Sequence, residues 1–210
     1  KTETDRQCEA AILATIRRRF PDHAVLTEES GFLPGKGDCL WIVDPLDGTV
    51  NFWHGLPFFG VSIGCFRRSP TTGHATAQME GAVISSDSVA GVILLPCTGE
   101  LFVAVHGRGA RLNGAPIRVS GVQRTEEALM SMSFGKTSAS MRHMTARLGD
   151  LLPRVRKVRT LGAAAAEMAY VAAGYLGGTL YEGIKIWDFA AARIILEEAG
   201  GSDGPILSVQ

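Results

Sequence analysis

The chain has 210 residues, 46% hydrophobic and 20% charged, and its 21 basic residues balance 21 acidic ones for a formal net charge of zero. That apolar content excludes disorder, and the balanced charge argues against a nucleic-acid binder or a membrane-surface protein, which usually carry a basic excess. No apolar run reaches the roughly 18–20 residues of a membrane span, because the best candidate, Ala163–Ala173, is broken by Glu167.

The expectation is a soluble, cytoplasmic globular protein. Cys8, Cys39, Cys65 and Cys97 form no C-x-x-C pair, so a zinc knuckle or redox dithiol is unsupported, and four reduced, mostly buried thiols are expected. The chain does not begin with Met and shows no signal peptide. Its 25 glycines exceed the roughly 7% typical of globular chains, which suits many tight turns around a ligand.

In chain order, Thr4 is placed to cap a helix running to Phe20. Its stripe is Glu9, Ile12, Ile16 and Phe20, and Arg17–Arg19 favour the dipole before Pro21 stops it. A strand Ala24–Thr27 delivers Glu28 and Glu29, and a glycine-rich loop Gly31–Gly37 leads to a buried strand Leu40–Val43. After Asp44 come a turn and a short helix from Thr49. Strands are predicted at Phe59–Phe66, Gly81–Ser85, Val89–Leu95 and Glu100–Val105, with a polar connection Arg67–Ala77 and hairpin turns at Pro96–Gly99 and Asn113–Gly114. The second half alternates: helix Ser140–Leu152, strand Val155–Arg159, helix Gly162–Ala173, strand Gly177–Tyr181 and helix Trp187–Ala199. This predicts a mixed α/β fold with a soft boundary near Ser120–Thr125, dividing one catalytic unit into lobes 1–120 and 121–210.

The stretch Trp41-Ile-Val-Asp44-Pro-Leu-Asp47-Gly-Thr49-Val-Asn51-Phe52 carries the chemistry. Two carboxylates projected from one turn, beside the free amides of a helix start, suit a divalent cation and a phosphate together. Glu28, Glu29 and Asp188 add acids at strand ends and helix starts, where α/β folds gather their sites. Taken singly, an Asp such as Asp188 at a helix start is more often a cap than a ligand.

Asp44-Pro-Leu-Asp47-Gly-Thr49 with Asn51-Phe52, preceded by Glu28-Glu29-Ser30 and followed by Trp187-Asp188, resembles the inositol monophosphatase family of metal-dependent, lithium-sensitive phosphatases. Thr4-Asp5, Gly107–Gly114 and Gly162-Ala163-Ala164 extend the resemblance over nearly the whole chain. It implies a layered αβαβα sandwich of the inositol monophosphatase and fructose-1,6-bisphosphatase type. The family's metal ligands fall on Glu28, Asp44, the carbonyl of Leu46, Asp47 and Asp188. Thr49, helped by Asp5, takes the position that holds the attacking water, and the Gly48 and Thr49 amides take the phosphate site. Asp47, Asp188, Gly162, Ala163 and Ala164 fall at the substrate's polyol side.

The resemblance further implies two or three Mg²⁺ ions, with Mn²⁺ as a substitute, a small phosphorylated polyol or sugar as substrate, no nucleic-acid or membrane partner, and a homodimer. The residues agree with hard cations: all-oxygen ligation without His or Cys selects Mg²⁺ or Mn²⁺ over Zn²⁺. Each pair of carboxylates about 4 Å apart costs on the order of 4 kcal/mol at an effective dielectric near 20, a strain that cations relieve.

Thr49-Val50-Asn51-Phe52 favours the inositol- or sugar-phosphate branch over relatives with Asp-Gly-Thr-Lys-Glu/Ser-Phe. The family usually has an acid two residues before the Gly, whereas Glu182 directly precedes Gly183, so Glu182 reads either as a polyol contact or as a solvated strand-end residue. The resemblance begins almost at the first residue, where relatives carry a further leading helix, and the tail Ser202–Gln210 is shorter than in relatives. Rival readings are a fructose-1,6-bisphosphatase-like or dual-substrate enzyme, a non-catalytic regulatory relative, and a haloacid dehalogenase-like phosphatase. The last needs acids two apart, and Asp44 and Asp47 are three apart. His23, His54, His74, His106 and His143 form no catalytic spacing, Trp53 and His54 read as core packing before pocket lining, and Met130, Met132 and Met141 read as packing residues.

Overall fold

In the computed structural model, which describes residues 2–67, 87–135 and 137–202, the chain opens with helix α1 (Glu3–Arg19). The Thr2 hydroxyl accepts the Asp5 amide at 3.3 Å and the Asp5 carboxylate accepts the Thr2 amide, a reciprocal box that closes the helix start. Thr4, the expected cap, therefore lies inside the helix. The residue able to close such a box is the one three positions before Asp5.

The main sheet is built from β1 (Ala24–Thr27), β2 (Gly31–Leu33), β3 (Cys39–Asp47), β4 (Gly60–Arg67), β5 (Ser88–Leu95), β6 (Glu100–Val105), β7 (Ala110–Leu112) and β8 (Ala115–Pro116). Its order is β2-β1-β3-β4-β5-β6-β7-β8, and only β1 and β3 run parallel. Between β3 and β4 sits the short helix α2 (Thr49–Trp53). The second half supplies β9 (Leu129–Met132), α3 (Ser138–Leu151), β10 (Lys157–Arg159), α4 (Ala164–Ala172), β11 (Gly178–Leu180) and α5 (Ile186–Glu198). Its strands form a small parallel sheet in the order β10-β9-β11.

The two-residue alternation of strands sorts side chains onto two faces. Val25, Trp41, Val43 and Ile63 face α1, where Ile12, Leu13 and Ile16 meet them. Ala24, Leu26, Leu40 and Ile42 face the other way, into a larger core with Ala165, Ala169, Ala190, Ala191 and Ile194 from α4 and α5. Alanines there let α5 lie close on the sheet: a Cβ on Gly91 of β5 would come within 2.6 Å of the Ala191 carbonyl. The layers therefore run α1, main sheet, α4 with α5, small sheet, with α3 tied to the loop after β11 through His143 and Glu182. This is the expected mixed α/β architecture, and its larger core draws residues from both sides of the Ser120–Thr125 boundary.

Four local expectations are corrected. The glycine-rich loop contains β2, because Gly31 at φ +71° turns the chain back and Phe32 and Leu33 pair antiparallel with β1. Strand β3 does not stop at Val43 but continues to Asp47, with a register shift between Asp44 and Asp47. Only Cys65 among the four thiols is buried, and Cys97 is exposed. Met141 and Trp53 are not packing residues, being 49% and 80% exposed. The predicted strand Gly81–Ser85, all but Arg67 of the connection Arg67–Ala77, His74 and all but Ser202 of the tail lie outside the described residues.

Candidate active site

The end of β3 is where the backbone stops being regular. Pro45 cannot donate to the ladder, so the strand bulges there, and the Asp44 carboxylate accepts the Leu46 amide at 3.0 Å. Asp44 is 2% exposed and Asp47 7%. Gly48 follows at φ +78° and turns the chain into α2, and a Cβ there would meet the Phe58 carbonyl at 2.8 Å and the Ala163 methyl at 3.0 Å. Only glycine fits both the dihedral and the space.

Asp47 reaches across to the start of α4. Ala163, the residue before that helix, has no side chain able to cap it. The Asp47 carboxylate does so instead, accepting the Ala164 amide at 3.1 Å and the Ala165 amide at 2.8 Å. Burial and then the charge of Asp188 push the Asp47 pKa from 3.8 up to about 7, against the lowering effect of these amides. Asp44 is pushed further, to about 9, by burial first and then by the charges of Asp47, Glu28 and Asp188. The four acids expected as ligands thus share one electrostatic field.

They do not form a closed shell as they stand: among the described residues, no three His, Cys, Asp or Glu side chains converge into ligand geometry. The hydrogen bonds give the reason. Asp47 is turned onto the α4 amides, and Asp188 is turned onto its own helix start, accepting the Lys185 amide at 2.6 Å. Carboxylates that repel one another gain by taking backbone donors individually, as Asp44, Asp47 and Asp188 do here. An all-oxygen acidic set whose charges raise the pKa of Asp44 and Asp47 suits hard divalent cations, so the donor chemistry fits the expected Mg²⁺.

Thr49, Asp5 and Leu46 meet beside these acids. The Thr49 hydroxyl lies 3.0 Å from the Leu46 carbonyl and 3.4 Å from Asp5 Oδ1, and it has one proton to give to either. Burial acts to raise the Asp5 pKa, but the Thr2 hydroxyl and amide donate to the carboxylate and it ends below 3.8. Asp5 is therefore an ionised acceptor facing Thr49.

The Gly162–Ala164 segment is held from both sides. Asn51 Nδ2 donates to the carbonyls of Phe58 and Leu161, each at 2.7 Å. Glu167, fully buried, accepts the amides of Leu161 at 2.6 Å and Gly162 at 3.0 Å and the hydroxyl of Tyr181. Burial and then the Glu167 charge keep the Tyr181 pKa well above 10, so the phenol stays a donor.

Glu182 is not solvated. Its side chain is 9% exposed and its Oε2 lies 2.8 Å from His143 Nδ1 on α3. Arg147 donates to His143 Nε2 at 3.2 Å, which leaves the ring proton on Nδ1 and directs it at Glu182. The supporting residues Glu9, Glu167 and His143 were not singled out by sequence. Glu167 offered one signal, a lone acid inside an otherwise apolar helix, and His143 offered none.

A family model described as the inositol monophosphatase family matches residues 1–202. A Pseudomonas aeruginosa protein named Nus factor SuhB is 39% identical over 206 residues, spanning 95% of this chain and 70% of the relative. The crystal structure of extragenic suppressor protein SuhB from Bartonella henselae superimposes with a TM-score of 0.83 at 35% identity, covering 95% of this chain and 71% of that one. An inositol monophosphatase from Anabaena superimposes with a TM-score of 0.81 at 36% identity, covering 93% and 72%.

Proposed function

Because the chain belongs to the inositol monophosphatase family, we propose that it is a Mg²⁺-dependent phosphomonoesterase acting on inositol monophosphate or a similar small polyol or sugar phosphate. One observation carries the reading: buried Asp44 feels the charges of Asp47, Glu28 and Asp188 at once, beside a Thr49–Asp5 pair and the start of α2. Glu28, Asp44, Asp47, Asp188 and the Leu46 carbonyl would hold the cations. When bound, Mg²⁺ supplies charge neutralisation and eases deprotonation of water.

The chain's own groups do the rest. Thr49 donates its hydrogen bond to Asp5 or to the Leu46 carbonyl, which leaves its oxygen lone pairs to accept a hydrogen bond from the attacking water. The water oxygen bonds phosphorus as the P–O ester bond opposite breaks; one water hydrogen stays on the phosphate and the other, passed through solvent, ends on the departing alcohol oxygen. The first amides of α2 have no partner within the helix and would take the phosphate oxygens. Asp47 fixes the start of α4, and Asn51 with Glu167 fixes the 161–163 segment against which the substrate's hydroxyls would rest. Residence in the cytoplasm and assembly as a homodimer belong to the same proposal and rest on the resemblance; among the described residues no helix is long and apolar enough to cross a membrane.

The test is phosphate release by the purified chain from inositol, glycerol, ribose and hexose phosphates, with and without Mg²⁺ and Li⁺. Mg²⁺-dependent release suppressed by Li⁺ is expected. A second reading, a regulatory protein without catalysis, is favoured by the name Nus factor carried by relatives at 37–39% identity. No release from any ester, by a folded chain that still binds Mg²⁺, would establish it over the first.

A further inference from the structure

Glu9 stands on α1 one turn after Asp5, on the face that meets the sheet, and is 4% exposed. Its Oε2 accepts the Glu29 amide at 3.2 Å and the Thr27 hydroxyl, and its Oε1 accepts the Ser30 hydroxyl. All three donors belong to the segment 27–30, and Glu28 stands among them with its own amide on the Val43 carbonyl at 3.3 Å. Every residue of that segment is thereby anchored, and the side chain projecting from its middle is one whose charge Asp44 feels.

We propose that Glu9 is a positioning residue for the cation site: its carboxylate fixes the backbone on both sides of Glu28 and so sets where the Glu28 carboxylate stands relative to Asp44. This rests on the reading of Glu28 as a cation ligand. Anchoring α1 to the sheet does not need a carboxylate, since Ile12 and Ile16 on the same stripe do it with apolar contacts. Burying a carboxylate costs desolvation that an aliphatic side chain avoids, and here the return is three hydrogen bonds to one four-residue segment. Asp5 does the corresponding service on the other side, reaching Thr49 from the same helix. Helix α1 is a rigid ruler with two acids one turn apart, Asp5 set on the α2 side of the site and Glu9 on the β1 side.

The experiment titrates Mg²⁺ into the full chain and its variants by calorimetry, and separately measures the Mg²⁺ concentration giving half-maximal phosphate release. Glu9→Ala is expected to weaken both roughly 10–100-fold, the range for residues that orient metal ligands, while kcat at saturating Mg²⁺ falls less than about threefold. Glu9→Gln keeps an acceptor for Glu29 and Thr27 and a donor for the Ser30 oxygen, and it is expected to recover Mg²⁺ affinity to within about threefold of the parent. A folded Glu9→Ala chain with the parent's Mg²⁺ affinity overturns the proposal, as does a Glu9→Gln chain no better than Glu9→Ala. Should Glu9→Ala not fold, Ser30→Ala removes one donor at an exposed residue, and an unchanged Mg²⁺ affinity there also overturns it. A parent chain that binds no Mg²⁺ overturns the ligand reading of Glu28 itself, which separates the two failures.

Discussion

The Ala165 amide donates to Asp47 Oδ2 at 2.8 Å, joining the end of β3 to the start of α4 across 118 positions of chain. One carboxylate thus caps a helix and faces Asp188, whose charge helps raise its pKa to about 7. Asp47→Asn keeps an oxygen for one amide but turns an NH₂ toward the other, so the cap is half lost together with the charge. Activity is expected to fall by about 100-fold or more, in line with loss of a group that acts only with its charge. Phosphate release at the parent's rate in this variant removes Asp47 from the site.

Asp44 carries a pH dependence of stability. Its folded-state pKa of about 9 lies far above 3.8, so between those values the folded chain holds a proton that the unfolded chain releases. Native protein binding more protons means that stability is fully present below that window and declines as pH rises through it. Asp44→Asn, fixed in the neutral form, is expected to melt above the metal-free parent by a margin that widens as pH rises from about 5 to about 9, while activity is lost. Each kcal/mol relieved is worth about 2–4 °C for a chain of this size. A margin that does not change with pH contradicts this assignment, and calorimetric melting across that range measures it.

Much of this site is legible from the sequence because its parts are local. Asp44-Pro-Leu-Asp47-Gly-Thr is contiguous, and a hydrophobic run ending in acids and a glycine can hardly be other than a strand passing into a turn. The end of β1 and the start of α5 are legible for the same reason. The supports are not local. Glu9 looks like one polar residue on an amphipathic stripe, and what makes it an anchor is Thr27 and Ser30, about twenty positions on. Asp47 capping α4 depends on Ala163 having no side chain able to do so, a relation between two distant segments. Strand β9 escaped for another reason: at four residues, with Met130 and Met132 alternating with Leu129 and Ser131, it is too short for its period to show.

Thr49 stands between Asp5 and the Leu46 carbonyl, and its role is separable from helix capping, since Gly48 and not Thr49 precedes α2. Thr49→Ala is expected to lower kcat by roughly 10²–10⁴-fold, the contribution of a positioned proton-transfer group, with little change in Mg²⁺ binding. Thr49→Ser keeps the hydroxyl and should retain most of the rate. Equal losses in Ala and Ser place the defect in packing of the methyl group and exclude the proton role.

Asn51 tests whether the 161–163 segment belongs to the substrate side. Its amide group is buried and donates to two carbonyls, Phe58 on the approach to β4 and Leu161 before α4, both at 2.7 Å. Asn51→Ala leaves both carbonyls without that donor, at about 1–3 kcal/mol for each buried group left unpaired. The melting temperature should fall accordingly. Because the Leu161 carbonyl loses its donor and the 161–163 segment is then held from the Glu167 side alone, while Asp47 keeps its own bonds to Ala164 and Ala165, the kinetic defect should sit in KM more than in kcat. Asn51→Asp separates the two effects, since it restores the volume but sets a carboxylate oxygen against each carbonyl. If KM is unchanged in both variants while stability falls, the segment serves only to brace α2, and the substrate's hydroxyls rest elsewhere.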